Sequence, residues 1–245
     1  MARKKDRTGR TLDELQSAGD RLAGWASDNR VLLFGAAVGI LAAAGLYGFV
    51  QSLREDARLE ASAALALAEQ GFREAMGTPA ESLLVTEPAN PETARKARAE
   101  YVERFEAVAE EHAGTAAGAL AALRAGALQA ALGEREAAIA QWRAAADGLD
   151  ADEPVRALLV VRAAAAHEEE ERWIEAGELY EEASDVVGYP LRYKALADAA
   201  RCYATGGDPD RALQAFERLQ TEAPDERIAE HIEGQLSELK MARSL

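Results

Sequence analysis

Apolar and polar positions along this chain follow three different rules. From Val31 to Val50 the sequence reads VLLFGAAVGILAAAGLYGFV, twenty residues without a charged or strongly polar side chain. At a rise of ~1.5 Å per residue such a helix covers ~30 Å, the thickness of a bilayer hydrocarbon core, and satisfies its own backbone groups. The run therefore predicts a transmembrane helix over residues 31–50. It does not read as a cleaved signal peptide, whose apolar stretch is ~7–15 residues with a small-residue site close behind; the nearest such form, Ala61-Ser62-Ala63, follows Arg54, Glu55, Asp56, Arg58 and Glu60. Ahead of the run, residues 1–10 form a basic tail. Thr11-Leu12-Asp13-Glu14 then has the form of a capping box, and Leu12, Leu15, Leu22 and Trp25 recur at helical spacing, predicting a short amphipathic helix within residues 1–30 that rests on the membrane face.

Beyond the run the period changes. Residues 53–76 carry no proline and are rich in helix formers, which predicts a helical stalk, and GTPAESLLVTEPANP (77–91) reads as a loop, so 51–91 is expected to be stalk plus loop. Asn90-Pro91 supplies an N-cap and a proline at the first helical position, with helix through about Glu111. From there the pattern is helix, turn, helix, with few strand signals.

The third rule is a repeat. Gly126, Gly133, Ala138, Trp142 and Ala145 stand at offsets that Ala164, Ala176, Tyr180 and Ala183 reproduce, and Ala200, Tyr203, Gly207, Ala212, Phe216 and Pro224 form the clearest copy. Small residues at fixed positions let paired helices cross closely, an aromatic fills the groove beside them, and glycine or proline ends the second helix. Three positions depart from the pattern: Gln129 stands where an aromatic is expected, Glu171 replaces the turn glycine, and Leu219 replaces the third alanine.

On these landmarks residues 119–224 resemble three tetratricopeptide repeats, and Tyr101 to Thr115, with Phe105 as its aromatic, resembles the second half of a diverged earlier one. The expected fold is all-α, a single transmembrane helix followed by a tetratricopeptide-like helical solenoid over residues 92–245. The last helix, with Ile228, Ile232, Leu236 and Leu239 on one face, is expected to close it as a cap.

In tetratricopeptide repeats the first helix of each unit lines the concave face. The resemblance thus implies a groove of Leu120, Leu123 and Ala127, then Leu158, Val161 and Ala165, then Lys194, Ala197 and Arg201, apolar with a basic end and suited to an extended or helical peptide. Within the apolar run Gly35, Gly39 and Ala43 form a small-residue stripe, a candidate contact for another membrane helix and for oligomers through the span.

The layout of short lead, one span and acidic repeat domain is also similar to the ancillary subunit of the bacterial SecYEG translocon. That resemblance implies an inner-membrane protein with a cytoplasmic N-terminus and a periplasmic repeat domain, whose partners are translocon subunits, periplasmic chaperones or exported chains. The alternative is a structural scaffold that organises an envelope complex through span and repeat contacts.

Charge bears on orientation and partners. The chain has 28 Lys+Arg against 43 Asp+Glu. Residues 1–30 hold seven basic and five acidic groups, while everything after residue 50 is strongly acidic. The basic lead favours a cytoplasmic N-terminus, although the flanks nearest the run are balanced. An acidic domain repels nucleic-acid phosphates, so no nucleic-acid partner is expected. The lone Cys202 cannot form an internal disulfide and reads as a small buried group, the three histidines are scattered, and the run His167 to Glu171 (HEEEE) reads as a solvated helix face. No catalytic, metal-ligating or cofactor-binding motif is present, and neither an enzyme nor a cofactor is expected.

Overall fold

The computed structural model describes residues 29–79, 82, 84–225 and 230–243, with the side chains of 31–43, 50, 54, 231, 235, 242 and 243 left outside that description. The described residues fold as nine helices: α1 (Arg30–Ala75), α2 (Pro91–Glu111), α3 (Ala116–Leu132), α4 (Arg135–Asp147), α5 (Pro154–Glu169), α6 (Trp173–Asp185), α7 (Arg192–Thr205), α8 (Pro209–Glu222) and α9 (Glu230–Arg243). The chain divides into two compact units, Met1–Asp56 and Ala57–Leu245.

In the first unit the described part is the helical stretch 30–56, where Leu46, Tyr47, Phe49 and Leu53 are exposed and Gln51 donates to the Tyr47 hydroxyl at 2.9 Å. Among the described residues no helix is long and apolar enough to cross a membrane. Most side chains of the Val31–Val50 run, with Gly35, Gly39 and Ala43, lie outside the described residues, as does the expected helix around Leu12 to Trp25.

The second unit is a stack of helix pairs. Turns of two or three residues join α3 to α4, α5 to α6 and α7 to α8, so the helices of each pair run back along one another. Local chemistry sets their ends. Asn90, Thr115 and Asp208 each accept a backbone N–H from the first turn of the helix they cap, and Pro91, Pro154 and Pro209 open helices where a missing N–H costs nothing. The repeat landmarks keep one register: Ala138, Ala176 and Ala212 are each the fourth residue of the second helix of a pair, and all three are fully buried. The turn position is left-handed in all three pairs, Gly133 at φ 89° and Gly207 at φ 82°, and the chain holds Glu171 at φ 60° where the glycine is replaced.

Close crossings depend on missing side chains. A Cβ on Gly126 would run into the Trp142 indole, one on Gly177 into the Tyr203 ring, and one on Gly71 into the Tyr101 hydroxyl. The last of these places the end of α1 in the stack. Leu65, Ala68 and Phe72 pack on Tyr101, Val102 and Phe105 of α2, with the Phe72 and Tyr101 rings 5.5 Å apart. The compact second unit begins at Ala57, and within it residues 65–75 of the segment expected as a stalk pack on α2. At the other end Ile232 and Leu236 are buried with Phe216 and Leu219, and Leu239 packs against them, so α9 covers the last pair.

Candidate functional site

The first helices of the pairs, α3, α5 and α7, carry every residue of the implied groove. Burial sorts them. Leu123 and Val161 are half-buried and pack against the core, Val161 joining two clusters, so these side chains hold neighbouring pairs together. Leu120 and Ala165 are half-buried, Ala127 is exposed, and Leu158 is 37% exposed. Ala197 is buried in the core. The surface available to a partner is thus narrower than the implied set, and centres on Leu120, Ala127, Leu158 and Ala165.

The far end of this row is electrically balanced, not basic. Lys194 Nζ lies 2.6 Å from Asp198 Oδ2, and Arg201 donates to Glu168 Oε2 at 2.8 Å with Asp198 Oδ1 at 3.6 Å. Two cations meet two carboxylates from α5 and α7, and the expected positive charge is neutralised. Sequence reading missed Glu168 and Asp198, although the spacing offered them: Asp198 is four residues after Lys194 on one helix face, and Glu168 continues the face of Val161 and Ala165.

Glu168 accepts three groups on one oxygen, from Arg201, from the Tyr180 hydroxyl at 3.2 Å and from the Cys202 thiol at 3.8 Å. Burial pushes its carboxyl up, but Arg201 and the donated hydrogen bonds outweigh burial and hold it below the usual carboxylate range. Burial, together with Glu168 and Asp198, pushes the Cys202 thiol up to about 12, which keeps it protonated and a poor nucleophile. The HEEEE run is accordingly split: Glu169 and Glu171 face solvent, whereas His167 is buried and Glu168 belongs to this network. One face of α5 packs on α6 and α7, which a run of like residues conceals.

Position 129, where the sequence lacks the expected aromatic, is filled by a buried amide. Gln129 donates to Glu106 Oε1 at 2.8 Å, and burial followed by Glu110 raises the Glu106 carboxyl above its ordinary value. The equivalent residue of the next pair is the buried His167, and of the third Tyr203, which donates to Glu181 Oε2 at 2.8 Å. Gln129 and Tyr203 thus each bond a glutamate on the helix that precedes their own, α2 and α6.

Arginines stitch the stack from outside the core. Arg143 and Arg156 both reach Glu182 of α6, at 2.6 and 2.5 Å, and from α8 Arg211 and Arg218 reach Glu178 and Asp185 at 2.8 and 2.7 Å. Among the described residues no group of three or more His, Cys, Asp or Glu side chains is arranged to hold a metal ion.

No family model matches the chain, and no curated protein matches it. Among solved structures it is similar to a kinesin light chain-like protein of Podosopora anserina with nearly identical tetratricopeptide-like repeats, at 16% identity over 77% of this chain and 88% of that one, with a TM-score of 0.46. A single-residue variant of that protein gives 16% identity, 77% and 87% coverage and a TM-score of 0.47. The repeat fold described above rests on the helix pairs of this chain themselves.

Proposed function

We propose that this chain is a membrane-anchored adaptor whose helical-repeat domain binds other proteins through the face of α3, α5 and α7. The observation that carries the reading is the row of accessible apolar positions on successive first helices, Leu120 and Ala127, then Leu158 and Ala165, set in one register by the repeat. A stacked solenoid needs such side chains for its core, not for its surface, and an accessible row suits the side chains of an extended or helical segment.

Anchoring is supported by the apolar run Val31–Val50 and by the exposure of Leu46, Tyr47 and Phe49 at its end, with aromatics where a membrane interface favours them. The basic lead favours a cytoplasmic N-terminus and an exported repeat domain. The finer reading is an inner-membrane protein of secretion, partnered by translocon subunits, periplasmic chaperones or exported chains.

A photo-reactive phenylalanine analogue placed at Leu158 tests the binding face in native membranes. It should crosslink discrete proteins, while the same analogue at Glu217 on α8 should give none. Equal crosslinking from both positions would remove the groove from the reading. A reporter active only outside the cytoplasm, fused after Leu245, should be active; a silent fusion would invert the topology and exclude the periplasmic role.

A further inference from the structure

Where α1 meets α3 the row opens into a cavity of about 150 Å³. Its floor is made by Phe72, Phe105 and Leu128, the last two buried. Its rim carries Arg73, Arg124 and Glu69. The repeat register shows why this crossing differs from the others. Ala127 is exposed here, whereas its equivalents are half-buried: Ala165 in the second pair and Arg201, tied to Glu168, in the third. At about 150 Å³ the cavity falls below the ~300–1,000 Å³ of ordinary small-molecule sites, and its size suits one side chain.

Charge narrows the class of occupant. The chain as a whole is at −15, yet this rim holds two guanidiniums and one carboxylate. Arg124 donates through Nε to Glu69 Oε1 at 2.9 Å and remains 60% exposed, while Arg73 donates to the Ser82 carbonyl. Among the described residues the Arg124 bond engages only Nε, and the exposed guanidinium keeps its Nη donors for a carboxylate, whose two oxygens match such a fork. We propose that this cavity is an anchor site that takes one large apolar side chain of an extended polypeptide that carries a carboxylate two residues away. It rests on the reading of the repeat domain as a protein binder, and gives that binder a chemical preference at one end of its face. In an extended polypeptide residues i and i+2 project to the same side, so a carboxylate two residues from the apolar side chain faces the basic residues that line the same cavity.

The full chain in nanodiscs, with the peptide Ser-Gly-Leu-Gly-Glu-Ser carrying photo-leucine at its third position, provides the test. Crosslinks should map to residues 69–73 and 124–128. Replacing the glutamate of the peptide by lysine should lower the yield about fivefold, the effect of one partly exposed ion pair, and Arg124→Gln should do the same for the original peptide. Ala127→Phe, which fills the mouth, should abolish the crosslink with an unchanged helical circular dichroism spectrum; Arg124→Gln changes an exposed side chain and decides the matter if the phenylalanine variant misfolds. Crosslinks that scatter over the surface, equal yields from the glutamate and lysine peptides, or a yield indifferent to both variants would overturn the site. The outcome at Leu158 is read separately: lost crosslinking there with this site intact would remove the wider face alone, and the reverse would remove this site alone.

Discussion

Trp142 donates its indole N–H to the Leu123 carbonyl at 3.2 Å, and the ring lies where a side chain on Gly126 would stand. The bond ties α4 to α3, and the missing Cβ makes it reachable. Gly126→Ala should push the ring off its acceptor and cost ~1–3 kcal/mol, the range of overpacking a filled core. Chemical denaturation measures this. The equivalent residues Ala164 and Ala200 already carry a Cβ, so the penalty belongs to the indole and should vanish in a Trp142→Tyr background.

Glu171 at φ 60° occupies a conformation that a side chain makes unfavourable by ~1–2 kcal/mol. Part of that gain is returned by the looser unfolded chain of a glycine variant, so Glu171→Gly should stabilise the protein by about 0.5–1 kcal/mol. Gly207→Ala, at φ 82° in the next turn, should destabilise by a similar amount. Opposite shifts of the urea midpoint at these matched positions are expected; equal signs would show that the left-handed backbone is not what matters.

His167 links stability to pH. Burial first, and then the Arg172 guanidinium, hold its imidazole below the ordinary value of 6.5, and its Nδ1 has no partner among the described residues. The unfolded chain therefore takes up the proton at a higher pH than the folded one. This contribution is complete above pH 6.5 and is lost as the pH falls through the folded value. His167→Gln should flatten that part of the stability profile between pH 7 and pH 5, measured against the native chain. An unchanged slope would assign acid sensitivity to other groups.

Leu236 is fully buried between α9 and the last pair. Leu236→Ala should cost ~2–4 kcal/mol if α9 is an integral cap. Exchange of amide hydrogens should then accelerate first in α7 and α8, with α3 and α4 protected, since repeat stacks respond locally. Uniform acceleration over all pairs would contradict that picture.

The sequence made legible those features that one position decides alone. Ala138, Ala176 and Ala212 announce themselves because only a small residue fits a close crossing, and Asn90-Pro91 and Asp208-Pro209 mark helix starts by their own chemistry. The packing of the end of α1 on α2 stayed hidden behind the long connection between Ala75 and Pro91, which separates Gly71 from Tyr101 much further in sequence than Gly126 from Trp142. The electrical balance of the face was legible only in part: Asp198 stands one turn from Lys194 on α7, but Glu168 and Arg201 sit on different helices and meet only when the pairs stack. Leu123 and Val161 look like surface from the period of one helix and become seams from the packing of two.

The arginine stitches have a mechanical consequence. Arg143 to Glu182 and Arg218 to Asp185 each join one pair to the next, and the described ion pairs of this kind reach only to the adjoining pair. A load applied through α9 is then borne by one seam at a time. Stretched in a force spectrometer, the solenoid should part from α9 inward in steps of one helix pair, giving a sawtooth and not a single rupture, and each tooth should shrink at high salt as the seam's charges are screened.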